Sequence, residues 1–264
     1  MIDAHNHLHD ARLAPHRPAI FAELARLGVT RAVVNGTRED DWPAVAALAR
    51  AQSSVIPSFG LHPWHVAARS ADWLARLREM LDAQPGAVIG EIGLDRWITG
   101  HDPEVQREVF TAQMALAAER ALPATIHCLR AWGPLWDLIR TGPVPARGFL
   151  LHAYGGPGEM VRGFVARGGY FSFNAYFLHE RKAAQRAVFQ HLPTERLLVE
   201  TDAPDLRPPD GRNAHPLHDA NAQPLNHPAN LALAYAALAE LRGMPAEELA
   251  AQVAENFARL FGAL

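Results

Sequence analysis

At 264 residues, 49% hydrophobic and 20% charged, the chain has enough apolar content to bury a sizeable core, which excludes a disordered protein. A single cysteine, Cys128, excludes a disulfide framework or a Cys-rich zinc module, and fourteen histidines point instead to imidazole and carboxylate chemistry. A formal net charge of −3 argues against a polycation built to grip nucleic acid over its whole surface, and no apolar run approaches the ~20 residues that span a bilayer.

The N-terminal MIDAHNHLHD has neither the basic start nor the apolar stretch of a signal peptide, so a cytoplasmic location is expected. Short apolar, β-branched runs then alternate with Ala/Leu/Arg-rich helical patterns. Strands are predicted at 2–5, 30–35, 55–60, 87–91, 124–127, 148–152, 169–173 and 196–201. Helical spacing is clear at 20–27 (Phe21, Leu24, Leu27), 105–121 (Phe110, Met114, Ala117) and 134–139 (Leu135, Leu138, Ile139). Gly28, Gly142 and Gly168 stand where helices should end in a left-handed cap.

Eight such alternations in about 260 residues predict an α/β protein, a (β/α)8 TIM barrel forming a single domain over 1–264. A doubly wound sheet is the competing architecture, but no GxGxxG follows the first strand and no GxxxxGK[ST] occurs. The stretch 203–228 breaks the rhythm. It has six prolines, the histidines His215, His218 and His227, and almost no apolar periodicity, and it reads as a long structureless loop placed to contact substrate.

Chemistry gathers at the ends of the predicted strands. His5 and His7 form an H-x-H whose alternate residues face one way. His9 extends the alternation but falls past the strand. Glu91 closes the fourth apolar run between Gly90 and Gly93, glycines expected where backbone packs closely around a site. Asp95 is the alternative ligand, but it sits further into the loop and is read as a supporting residue. His127 and His152 end the fifth and sixth strands, and Asp202 the eighth, with Glu200 two residues deeper as an orienting carboxylate. His5, His7, Glu91, His127, His152 and Asp202 supply enough N and O donors for two divalent cations, of the type Mg2+, Mn2+ or Zn2+, with Glu91 the natural bridge.

The order H-x-H, then Gly60-Leu61-His62-Pro63, then Gly90-Glu91-Ile92-Gly93-Leu94-Asp95, then His127, His152 and Glu200-Thr201-Asp202-Ala203-Pro204 resembles the TatD-type metal-dependent hydrolases of the amidohydrolase-like barrels. The resemblance runs from Asp3 to the final helix at 256–261. It implies a divalent-metal-dependent deoxyribonuclease with 3'→5' exonuclease activity. It further implies that His5, His7, Glu91 and Asp202 hold one cation, that Glu91, His127 and His152 hold the other, and that His62 contacts substrate phosphate. Independently, Lys182 is the sole lysine and lies in a helix-like run after the seventh strand, so a carbamylated-lysine bridge is excluded and the bridge falls to Glu91.

Three places depart from the family pattern: Leu129-Arg130 after the fifth strand, Ala153-Tyr154-Gly155-Gly156 after the sixth, and Trp64-His65 where a second histidine often stands. The metal-binding residues are intact and the phosphate-contacting ones altered; Asn226-His227-Pro228 keeps the family's N-x-P. The expected reaction is phosphodiester hydrolysis by metal-activated water, with Asp202 as general base. Arg130, Arg207 and Arg212 are candidate phosphate contacts. Trp64, Trp97 and Trp132 are candidate stacking faces for unpaired bases, Trp64 foremost because it adjoins His62. The expected substrate is therefore a single-stranded nucleic acid 3' end or another phosphodiester, met by a monomer needing neither membrane nor protein partner. The same donors can also polarise a carbonyl, so hydrolysis of an amide, lactone or ester is the alternative, and a non-catalytic metal-stabilised scaffold the third reading.

Overall fold

A computed structural model describes residues 1–100 and 102–262; residue 101 and the last two positions of the expected 1–264 domain lie outside the described residues. In chain order the elements are β1 (Ile2–Asn6), α1 (Arg17–Arg26), β2 (Arg31–Asn35), α2 (Trp42–Ala51), β3 (Val55–Phe59), α3 (Trp73–Ala83), β4 (Val88–Asp95), α4 (Pro103–Glu119), β5 (Ala124–Leu129), α5 (Trp132–Thr141), β6 (Phe149–Leu151), α6 (Val161–Ala166), β7 (Gly169–Asn174), α7 (Ala183–Val188), β8 (Leu197–Glu200), β9 (Pro216–His218), β10 (Pro224–Asn226), α8 (Leu231–Arg242) and α9 (Ala246–Phe261). The main sheet has eight strands in the order β1-β2-β3-β4-β5-β6-β7-β8, the order expected from the sequence. The chain divides into two compact units, Met1–Val34 with Ser172–Leu264, and Asn35–Phe171.

In the first unit β1 pairs in parallel with β2, Ile2 opposite Arg31. Buried polar side chains fasten the helices to the strands. The Tyr235 hydroxyl on α8 donates to Ile2 O (3.0 Å) and accepts from Ile2 N (3.1 Å). Asn256 on α9 donates to Thr194 O (2.8 Å) and Leu197 O (2.9 Å). A buried amide with both hydrogens satisfied specifies one docking position, which apolar contact alone does not.

The stretch 203–228 is not structureless. β9 and β10 form an antiparallel hairpin with Leu225 opposite Leu217, closed by Asp219, whose Oδ1 accepts from Asn221 N (2.8 Å) and Gln223 N (2.9 Å). Each strand has three residues and opens on a proline, a pattern that reads as a breaker although proline is tolerated at the first position of a strand.

His227 follows the hairpin and its ring stacks on His215, centroids 5.5 Å apart. Its Nδ1 accepts from Ala229 N (3.0 Å). Burial and the neighbouring His215 hold the imidazole down at about 4, from an ordinary 6.5. Between those values the folded chain binds fewer protons than the unfolded one. The associated stability is therefore complete above pH 6.5 and is lost as pH falls towards 4. Discounted for solvent screening, the loss is about 1–2 kcal/mol. His227→Asn keeps a capping acceptor and removes the titration, so its Tm should fall less than wild type between pH 7 and 4.5 in thermal melts; equal falls would refute the assignment.

In the second unit β3 to β7 pair in parallel, with Ser58 opposite Val88 and Phe149 opposite Gly169. α4 begins at Asp102, whose carboxylate accepts from Glu104 N and Val105 N, with Pro103 in the first turn. Its buried face carries two glutamines among the apolar residues. Gln113 bonds Leu61 N (2.7 Å) and O (3.2 Å), and Gln106 bonds Asp95 N (2.9 Å) and O (3.0 Å). One helix thus fixes the backbone on which His62 and Asp95 stand.

Two sequence expectations need correction here. β4 runs past Glu91 to Asp95, so Glu91 lies within the strand and Asp95, expected in the loop, closes it. The register of β4 against β5 shifts between Ile89 and Ile92, where Gly90 stands. Gly142 is extended (φ −86°) rather than left-handed, and glycine is needed because a Cβ would meet Leu138 O at 2.7 Å. Gly28 and Gly168 do take positive φ, at 69° and 91°.

Candidate functional site

In the first unit, β1 and β8 are laced together where the chemistry begins. Asp3 is buried and accepts from Thr201 N (3.0 Å) and Thr201 Oγ1 (2.6 Å). Burial nonetheless pushes its carboxyl up to about 7. Thr201 O in turn accepts from Asn174 (3.0 Å) and Asn226 (2.8 Å). Glu200 takes the Ser172 hydroxyl. Asp202 N donates to His5 O (2.9 Å), and His7 N to Ala203 O (2.8 Å). Together these bonds hold Asp202 at φ 55°, a left-handed conformation that Asp and Asn tolerate best after glycine.

The result is a convergence of three side chains. Asp202 Oδ1 lies 3.5 Å from His5 Nε2 and 3.3 Å from His7 Nε2. It is buried and accepts no hydrogen bond among the described residues. Donors about 2.1 Å from a shared cation stand roughly 3.0–3.4 Å apart, so this spacing fits an ion better than a hydrogen bond.

The second unit holds a matching set. Glu91 Oε1 lies 2.9 Å from His152 Nε2 and 3.3 Å from His127 Nδ1, and those two nitrogens are 3.3 Å apart. The glycines on either side make this possible. A Cβ at Gly90 would lie 1.8 Å from Thr125 Oγ1, and one at Gly93 2.0 Å from His127 O. No thiolate joins either set; Cys128 is buried and its thiol is pushed up by burial. Two groups of imidazole and carboxylate donors suit a borderline or hard divalent cation.

Asp95 decides which nitrogen of His127 faces Glu91. Its Oδ2 lies 3.0 Å from His127 Nε2 and accepts from Trp64 Nε1 (2.7 Å), while Oδ1 accepts from Trp97 N (2.6 Å) and Ile98 N (3.3 Å). With Nε2–H donated to Asp95, Nδ1 is left as a lone pair. Burial is the largest single influence and opposes charge on both groups, but hydrogen bonds and opposite charges together outweigh it, lowering Asp95 to about 2 and raising His127, which also faces Glu91. The sequence placed Asp95 as a supporting residue without showing that it also holds two tryptophan segments.

His62 is buried 3.5 Å from Glu91 Oε1 through Nε2, with its ring 4.5 Å from that of His127. Its Nδ1 accepts from Trp64 N (3.2 Å), which leaves Nε2 facing Glu91, and His62, Glu91 and His127 form a further group able to hold a cation. The expected substrate contacts divide. Trp64 and Trp97 are 51% and 59% exposed, and Arg130 lies 3.9 Å over the Trp97 ring. Trp132 instead packs edge-on against Tyr154, 4.7 Å between centroids. Tyr154 is buried and donates to Pro157 O (2.8 Å), so this departure from the family pattern fills the core. Lys182 ends a short 3-10 turn, Glu180–Lys182, away from any strand end, as its sequence position implied.

The TatD related DNase family matches residues 2–262. The chain is 32% identical over 263 residues to the 3'-5' ssDNA/RNA exonuclease TatD of Erwinia tasmaniensis, covering 99% of each. It is 31% identical to the uncharacterized metal-dependent hydrolase YjjV of Escherichia coli K12, covering 98% of this chain and 97% of that one. The crystal structure of YjjV superposes with a TM-score of 0.90 at 28% identity, over 100% of this chain and 98% of the other. Sharing both a full-length family match and that fold, the chain folds as a (β/α)8 barrel and belongs to the TatD related DNase family.

Proposed function

We propose that the chain is a divalent-metal-dependent phosphodiesterase, a 3'→5' exonuclease acting on single-stranded ends, and that it works as one catalytic domain. The observation that carries this reading is the pair of ion-spaced donor sets: His5, His7 and Asp202 for one cation, Glu91, His127 and His152 for a second. The choice of phosphoryl over carbonyl rests on the relatives named exonuclease. When bound, such cations lower the pKa of water and offset charge developing on the phosphoryl group.

The chain's own residues supply the rest. Asp202 takes the proton of the attacking water, its Oδ1 left without a hydrogen-bond donor to compete. His62 donates Nε2–H to a phosphate oxygen. Trp64 offers its exposed face to the terminal base while Asp95 holds its indole edge. Stacking is worth about 1–3 kcal/mol per base, so Trp64→Ala should raise KM roughly 5- to 150-fold with little change in kcat. Trp64→Phe, which keeps the ring face and loses the N–H, should recover most of the affinity in the same steady-state assay. A Phe variant as weak as Ala would assign the effect to the Asp95 hydrogen bond.

The decisive test pairs metal analysis with two substrates. Elemental analysis should find two divalent ions per chain. Metal-dependent release from a 3'-labelled single strand should outpace release from blunt duplex. Turnover of lactones or dihydropyrimidines without any nucleolysis would favour carbonyl chemistry. A protein that binds no metal and is inactive after metal addition would overturn both enzyme readings.

A further inference from the structure

Apart from the donor sets, one more concentration of charge stands in the first unit. A cleft of about 530 Å3 is lined by Leu178, His179, Glu180, Arg181, Pro209 and Arg212. Its walls are the segments that leave β7 and β8. The first starts from Asn174, which accepts from Tyr176 N (2.8 Å) and also holds Thr201 O. The second starts from Asp202, whose carbonyl accepts from Asp205 N (2.8 Å). His179 joins them, its Nε2 3.1 Å from Arg207 O. The cleft is therefore built on the same two strand ends that position the proposed base.

The cations of these walls are of two kinds. Arg207 is paired with Asp210 and is spent on holding its own loop. Arg212 is exposed and has no acidic partner among the described residues. Arg181 donates to the Tyr176 hydroxyl (2.8 Å) and lies 5.3 Å from that ring, as does the ammonium of Lys182. A neutral phenol orients these two charges without cancelling them. Glu180 is the one acidic lining residue. Among the lining residues Arg181 and Arg212 thus outnumber the acid, on a chain whose net charge is −3.

We infer that this cleft is a backbone track for single-stranded polynucleotide, in which Arg181 and Arg212 bind phosphodiesters upstream of the 3' end being cleaved. The inference rests on the nuclease reading for its occupant, and on this cleft for its place. It reconciles an acidic protein with an anionic polymer: a few local cations suffice where only one strand is held.

The test is the double variant Arg181→Ala/Arg212→Ala, read by fluorescence anisotropy on a phosphorothioate 20-mer between 50 and 200 mM salt. Removing two single-strand phosphate contacts should flatten the slope of log K against log salt by about 1.4. The Lys/Lys double variant should retain the wild-type slope. In parallel, KM for the 20-mer should rise several-fold and by more than KM for a dinucleotide, which has too few phosphodiesters to engage both arginines. A wild-type slope and KM in the Ala/Ala variant would overturn the track, as would equal effects on dinucleotide and 20-mer or competition by inorganic phosphate without length dependence. Because anisotropy needs no hydrolysis, a wild-type protein that binds the 20-mer through these arginines yet cleaves nothing would sink the nuclease reading and spare the cleft.

Discussion

Asp202→Asn is expected to lower kcat by about 10²- to 10⁴-fold, the range typical of a lost general base, while the protein melts close to the wild-type temperature. Asparagine is the informative replacement for a backbone reason. Asp202 stands at φ 55°, and asparagine tolerates that region about as well as aspartate, whereas alanine would add strain unrelated to chemistry. The amide keeps an oxygen facing His5 and His7 but loses the basicity needed to take a proton. Elemental analysis of the variant separates two effects: lost turnover at full metal content is lost base, and lost turnover with lost metal is a lost ligand. Near-normal turnover would remove Asp202 from the proposed mechanism.

The largest stability effect should come from a single methyl group. Gly93→Ala places a Cβ 2.0 Å from His127 O, and Gly93 has φ 151°, where L residues are strained. The obstacle is the backbone of β5, which cannot swing aside as a side chain would. A cost of about 3–5 kcal/mol is expected, through combined overpacking and backbone strain. Chemical denaturation measures it directly. Gly211→Ala, with nothing within 4 Å of the added carbon, is the control and should stay within about 0.5 kcal/mol. A Gly93→Ala loss below 1 kcal/mol would mean that β4 and β5 can separate locally without harm.

Much of this was legible in the sequence, and the reason differs by residue. His5, His127, His152 and Asp202 each end an apolar run, and a polar group there is readable because burial makes it conspicuous. The barrel was legible from eight such runs alternating with helical spacing. The support beneath the site was not. Gln106 and Gln113 look like ordinary polar positions on a helix, and only their position over β3 and β4 reveals that they pin Leu61 and Asp95. Asp3 sits two residues before His5, where nothing local shows that it will reach Thr201 across 198 positions. The arginines were equally opaque: Arg207 and Arg212 lie five residues apart on one loop, and an acidic neighbour in space separates the spent one from the free one. The hairpin in 203–228 was hidden because strands of three residues carry too little periodicity to register.

The Asp95 carboxylate carries a consequence of its own. One oxygen serves both the imidazole of His127 and the indole of Trp64, and the other serves the amides of Trp97 and Ile98. Two rings that share an acceptor cannot settle independently. In the proposed function, an ion on His127 and a base on the indole act on one another through this oxygen, each by the same amount, since coupling between two binding events is reciprocal. Under the proposed function, loading of the ion and capture of the strand end are therefore linked, and the fluorescence of a partly solvent-exposed tryptophan is expected to report whether the ion is in place.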